Sequence, residues 1–210
     1  MKEAYIKSFL LSVVSLLLIE AIKKILHLDK LLYNSLAEKL TSNQIGSYFE
    51  MQSKLKWLGY IFTPLFIFLK TLIIASTIYT AIFFFNKNKI AFKNILNIIL
   101  KAEFIFLLVP IFKIIWFYFF QINYTLEDIQ YFYPLSALNI VGYTGLEPWL
   151  VYPLQILNLF ELAYIIYLSY QIGKLTNTNA DNGFKIMMYS YVPTMLLWVC
   201  VVMFLTLSMS

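Results

Sequence analysis

The chain has no arginine, one histidine (His27) and one cysteine (Cys200) among its 210 residues. Without arginine there is no bidentate guanidinium fork for phosphate or carboxylate groups. A single cysteine forms no intramolecular disulfide and no cysteine-based metal site. Set in an apolar run, Cys200 reads as a buried, hydrophobe-like thiol. His27 lies beside a basic segment and reads as a surface residue. It leaves no HExxH zinc motif and no Ser-His or Cys-His pair inside the apolar runs. No GxxxxGK[ST] or GxGxxG loop occurs, so nucleotide binding has no sequence signal. The interleaving of basic and stacked aromatic residues that grips single-stranded nucleic acid is missing too. These absences point to no catalytic residue, no metal, no cofactor, no nucleotide and no nucleic acid. Charge is also scarce. Only 13% of residues are charged, against about 25% in soluble domains, which excludes a soluble fold.

What the chain has instead is long apolar runs. The clearest covers 57–85, apolar throughout except for Lys70 near its middle. About 20 apolar residues cross a bilayer as a helix. Its sixteen Leu, Ile and Phe residues, at roughly −0.3 to −0.6 kcal/mol each, outweigh one lysine at about +2.5 to +3.5 kcal/mol. Further runs cover 5–22, 95–120, 149–172 and 184–207. The expectation is an all-α polytopic membrane protein. It forms one integral membrane domain over 1–210, with about five transmembrane helices. Between the first two lies the segment 23–56. There Leu28, Leu31, Leu32, Leu36 and Leu40 recur at helical spacing, which predicts an amphipathic interfacial helix. A turn over 41–46 and a short helix over 48–56 follow.

Lysine placement sets the expected orientation. Lys87, Lys89 and Lys93 mark the loop over 86–93, and Lys174 and Lys185 flank the loop over 173–183. The connection over 121–148 has no lysine but carries Glu127, Asp128 and Glu147. The two short loops then face the cytoplasm, with the N-terminus inside, the C-terminus outside, and a bacterial inner membrane as the expected location. Against this, six lysines in 23–56 lie outside. If the first run does not cross, four spans remain and both termini are outside. The aromatic residues of the outer connection, Tyr124, Tyr131, Phe132, Tyr133, Tyr143 and Trp149, read as an interfacial belt. Asn123-Tyr124-Thr125 matches a glycosylation sequon, which matters only in a eukaryotic host.

Four charged residues fall inside the runs: Lys70, Glu103, Lys113 and Glu161. Intramembrane charges are costly and default to a functional hypothesis. Counted at 1.5 Å per residue, Lys70 and Glu161 share a depth. They are expected to pair, either fixing helix packing or relaying protons or ions. Lys113 is expected to snorkel outward. Pro64, Pro110, Pro153 and Pro193 fall one to a span, where each removes a helix hydrogen bond and kinks the helix. Near them Gln155, Asn158, Tyr189, Ser190, Tyr191 and Thr194 bridge helices or line a polar pocket. The openings Ala91-Phe92-Lys93 and Gly183-Phe184-Lys185 hint at a parallel repeat of two hairpins.

Five helices in this arrangement are joined by several short matches. They are Phe92-Lys93 before an apolar helix with Ala102, Tyr133-Pro134-Leu135-Ser136, Tyr152-Pro153-Leu154-Gln155 and Tyr189-Ser190-Tyr191-Val192-Pro193. In these features the last 130 residues resemble the Yip1-type membrane domain of small bacterial proteins. The resemblance implies a membrane helical bundle and an assembly role, with no known reaction. The longer N-terminal region through which eukaryotic relatives bind small GTPases is missing, so their trafficking role does not carry over. The functional expectation is a non-enzymatic scaffold or accessory subunit in the lipid bilayer that works through helix contacts with another membrane protein. The alternative is a small transporter or permease component with a polar site around Lys70 and Glu161.

Overall fold

The computed structural model describes residues 2–85 and 90–209, so Lys87 and Lys89 lie outside the described residues. The described residues are helical, with one isolated β-bridge and no named strand. Helix α1 covers Lys2–Ile25, with Glu3 in its first turn and Lys23 and Lys24 in its last, each sign suited to the helix dipole. His27, in the left-handed region at φ 48°, turns the chain into α2, Leu28–Ala37. Helix α3 then runs unbroken over Ser42–Phe85. It starts where it does because Gln44 Oε1 accepts from both the backbone N–H and the hydroxyl of Thr41 at 3.0 Å, a capping arrangement. The expected turn over 41–46 and the separate helix over 48–56 are therefore absorbed into one 44-residue helix. Helix α2 folds back along its start, stacking Tyr33 on Phe49.

The three later apolar runs are helical but interrupted. The third divides into α4, Phe92–Ala102, a 3-10 segment, Glu103–Leu107, and α5, Leu108–Phe119. The connection that follows holds two short helices, α6, Leu126–Tyr131, and α7, Ala137–Val141. The fourth run divides into α8, Pro148–Ile156, and α9, Leu159–Leu175. The fifth divides into α10, Ala180–Tyr189, and α11, Tyr191–Met209. Three stretches, Glu3–Ile25, Ser42–Phe84 and Ala180–Met209, are long and apolar enough to cross a membrane. The breaks leave the third and fourth runs in shorter pieces.

Prolines explain where two breaks fall. Pro110 and Pro193 are each the third residue of the helix after a break. First-turn N–H groups have no intrahelical partner, so a proline there forfeits no bond. Pro64 and Pro153 lie inside helices.

The core joins the second half of α3 (Ile74, Ala75, Ile78, Ala81, Ile82) to Ile95 and Ile99 of α4, Leu168 and Ile172 of α9, and Ile186 and Met187 of α10. Helices α9 and α10 form the closest pair. A methyl placed on Gly183 would strike the Ser169 carbonyl, and one on Gly173 the backbone of Asn179. Glycine at these two points lets the backbones touch. This is the turn end of the bundle. At the opposite, loop end, Leu26 beyond α1 packs with Phe117 of α5 and Ile129 of α6. Much of the remaining surface is apolar, with Phe66 64%, Ile73 57%, Phe83 73% and Phe204 70% exposed. Such a surface suits lipid rather than water. Cys200 belongs to it. The thiol is exposed on α11, and the expectation that it is buried fails because α11 packs through its other face, with Tyr191 and Val199 inward.

Candidate functional site

The breaks of all three interrupted helices surround one polar cluster. At the first, the 3-10 segment opens on Glu103, whose residue is only 5% exposed. Its carboxylate is held at both oxygens: Lys70 Nζ lies 2.8 Å from Oε2 and the Tyr164 hydroxyl donates to Oε1 at 3.0 Å. The ammonium also lies 4.3 Å from the centre of the Phe106 ring and 5.9 Å from that of Tyr164. Both rings add cation–π attraction. A lysine in apolar surroundings is thus paired and capped by aromatic faces.

The ion pair expected between Lys70 and Glu161 is therefore a pair with Glu103. Helix α3 extends to Phe85 and α4 begins at Phe92. Lys70 lies fifteen residues before the one end and Glu103 eleven after the other. Those counts differ by only about 6 Å in rise, well within the reach of a lysine.

At the second break, Asn158 joins the two helix ends. Its backbone is extended (φ −138°, ψ 162°) and its Oδ1 accepts from the Glu161 N–H at 2.8 Å, capping α9. Its Nδ2 donates to the carbonyls of Gln155 at 2.8 Å and Ile156 at 3.0 Å, the last of α8. The loop between α6 and α7 closes over this point. Ala137 N–H donates to the Leu157 carbonyl at 2.8 Å and Leu159 N–H to that of Leu135 at 3.1 Å, forming the Ser136–Asn158 bridge. Leu135 sits at φ 56°, a region that favours glycine. Gln155 Nε2 donates to the Tyr131 carbonyl at 3.0 Å. Gln155 and Asn158 thus bridge segments.

Glu161, in the first turn of α9, is 8% exposed. The Tyr191 hydroxyl donates to its Oε1, and the Tyr164 and Tyr191 rings meet at 5.4 Å. Glu161 feels the charges of Lys70 and Glu103, so both carboxyls belong to one cluster. It also reaches Tyr133 on the loop, whose hydroxyl is pushed up to about 12 by burial and then by the Glu161 charge.

The third break, at Ser190 (φ −120°, ψ −71°), sets Tyr191 inward. Ser190 Oγ donates to the Ile186 carbonyl at 2.7 Å and Thr194 Oγ1 to the Ser190 carbonyl at 2.8 Å. Beside it, an open groove of about 500 Å³ runs between α3 and the α10–α11 junction, lined by Ser76, Thr77, Thr80, Ser190 and Thr194 with Phe84 and Tyr189. Lys113 stands apart on α5, half-buried and without an ion pair among the described residues. Of the belt aromatics, Tyr124 and Phe132 pack on Phe117, and Tyr131 stacks on Tyr143.

Tyr164 and Phe106 are the cluster members that sequence reasoning did not single out. The available signal was a tyrosine one helical turn after Glu161. No family model, no curated protein and no solved structure matches the chain.

Proposed function

We propose that this chain is a non-enzymatic integral membrane protein that serves as a scaffold or accessory subunit by packing against a transmembrane helix of another membrane protein. The observation that carries this reading is the groove between α3 and α10–α11. Between Phe84 and Tyr189 its walls carry small hydroxyl residues, and Ser76 and Thr80 stand one turn apart on α3. The hydroxyls are already committed: Ser76 donates to the Leu72 carbonyl at 2.8 Å and Thr80 to that of Ser76 at 2.9 Å. The wall is therefore short, smooth and satisfied, the kind against which helix backbones approach closely in lipid. The residue matches to the Yip1-type domain agree with an assembly role. In this reading α1, α3, α4–α5, α8–α9 and α10–α11 each cross a bacterial inner membrane, with the N-terminus in the cytoplasm and the C-terminus outside. The lysine-free connection over 121–148 supports that orientation, and the contact of Leu26 with Phe117 and Ile129 supports a first helix that crosses.

Site-specific photocrosslinking in the source membrane tests the proposal. A crosslinker at Thr80 is expected to capture one protein at fixed stoichiometry, while one at Phe66, on the outward face of α3, captures none. Filling the groove with Ser76→Phe, which leaves position 80 to the crosslinker, should abolish the product without changing monodispersity. Equal capture from both positions defeats the reading.

One observation favours a second reading, a small transporter component. Three interrupted helices meet at two buried glutamates, and discontinuous helices are the usual frame of midplane transport sites.

A further inference from the structure

We infer that Glu161 binds one exchangeable proton, taken up at its free carboxylate oxygen from the loop end of the bundle. The two glutamates are held differently. Both oxygens of Glu103 receive donors, from Lys70 and from Tyr164, so its negative charge is fully matched. Glu161 receives one, the Tyr191 hydroxyl, at Oε1. Among the described residues its Oε2 accepts no hydrogen bond, although the residue is only 8% exposed.

The charge count agrees. The groups acting on Glu161 are Lys70 from α3, Glu103 from the 3-10 segment, Tyr164 from its own helix, Tyr191 from α11, Tyr133 from the loop and Tyr152 from α8. Lys70 is the only cation among them, and Glu103 already holds it. An ionised Glu161 adds a second negative charge to a largely buried cluster whose one cation Glu103 already holds, an arrangement that desolvation opposes. A proton on Oε2 removes the charge and leaves the Tyr191 bond to Oε1 in place. Among the described residues no three acidic, histidine or cysteine side chains gather, so no carboxylate-rich cage is built there.

Access follows the tyrosines. Tyr133 is half-buried on the loop over the break, and Tyr152, also half-buried, accepts at its hydroxyl from Trp198 Nε1 at 2.9 Å. Tyr133 is the loop residue whose hydroxyl responds to the Glu161 charge, which sets it on the way from water at the loop end, whereas Glu103 is already held by Lys70 and Tyr164. This inference does not depend on the partner-helix reading. It rests on the transport reading only for what the proton would drive.

Infrared difference spectroscopy on the full chain in lipid nanodiscs, between near-neutral buffer, where ordinary carboxylates titrating near about pH 4 are already ionised, and alkaline buffer, and in heavy water, tests it. The wild type is expected to show one protonated carboxyl stretch that shifts in heavy water and disappears as pH rises. That band is lost in Glu161→Gln and kept in Glu103→Gln. Tyr191→Phe, which removes one hydrogen bond but no carboxyl group, should move the band to higher frequency. The inference is overturned if the band survives in Glu161→Gln, or if no carboxyl band responds to pH and heavy water. Should Glu161→Gln fail to fold, an unmoved band in Tyr191→Phe overturns it equally.

Discussion

The two ends of this bundle are built on opposite principles. At the turn end, α9 and α10 touch backbone to backbone through Gly173 and Gly183, and the core beside them is aliphatic with no charge. At the loop end the helices are broken, and side-chain hydrogen bonds from Asn158, Gln155 and Ser136 replace the missing helical ones. The turn end tolerates no added volume because its order comes from contact. The loop end tolerates volume but not the loss of a donor, because its order comes from satisfied polar groups.

That contrast predicts a ranking of effects. Gly183→Leu must push the Ser169 backbone away and is expected to cost about 3 kcal/mol or more, read as loss of a monodisperse peak and of cooperative thermal unfolding. A bulky residue at exposed Gly59, which meets nothing within 4 Å, should leave both unchanged. If the two behave alike, the close packing of α9 on α10 is not what holds the turn end.

Lys70→Met strands the Glu103 carboxylate and should cost about 2–3 kcal/mol, less than a fully buried pair because the lysine side chain is 46% exposed. Adding Glu103→Gln should restore most of that stability, whereas adding Glu161→Gln should not. A double-mutant cycle with the reverse result would return Lys70 to Glu161.

Asn158→Ala removes the cap of α9 and both donors to the end of α8, for about 1–2 kcal/mol. Hydrogen exchange should rise at the Glu161 and Ala137 amides while the α9–α10 hairpin stays protected. Uniform exchange across both ends would mean that the break is not an independent unit.

The smallest effect is a pH dependence at the loop. Burial works against the Asp128 carboxylate, but donors from the Thr125 backbone, the Tyr143 hydroxyl (2.7 Å) and the Thr125 hydroxyl prevail and hold it below its usual 3.8. Its contribution is therefore complete above pH 3.8 and is lost as pH falls through the lower folded value. The same bond, with burial second, pushes the Tyr143 hydroxyl from 10.0 to about 12. That contribution is complete below pH 10 and fades as pH rises toward 12. Asp128→Asn should flatten the acid limb of a melting-temperature profile, and Tyr143→Phe the alkaline limb. Steep limbs in both variants would place the titrating groups elsewhere.

The helices within the apolar runs were legible, because long runs have one inexpensive backbone solution in lipid, whereas α6 and α7, in the connection over 121–148, were not. The breaks were not. The sequence of the 3-10 segment, Glu103-Phe104-Ile105-Phe106-Leu107, is as apolar as its neighbours apart from its first residue. The break at Asn158 depends on Leu135 and Ala137, twenty residues earlier. The Thr41-x-x-Gln44 cap was present in the sequence, but with Gly46 close by it reads equally as a turn. Lys70, Glu103, Glu161 and Tyr191 were all candidates, yet their pairing was not legible, since depth counted along straight helices does not include the interruptions. Tyr164 was hidden by its ring, which counts as apolar while its hydroxyl donates to Glu103. The hinted repeat of two hairpins does not extend to the architecture: α3 is continuous, whereas α8–α9 is divided.

Helix α3 has 44 residues and is about 66 Å long, against about 40–45 Å for a bilayer with its headgroups. In the membrane reading proposed above, its first turns, with α2 folded against them, stand clear as a mast. A mast converts tilt into travel: a lean of about 10° carries a tip some 20 Å above the pivot sideways by about 3–4 Å. The rod has one missing rung, at Pro64, below the mast and only six residues from Lys70. Force applied to the mast reaches the lysine through that joint, so whatever leans on the exposed helix pair also leans on the charged centre.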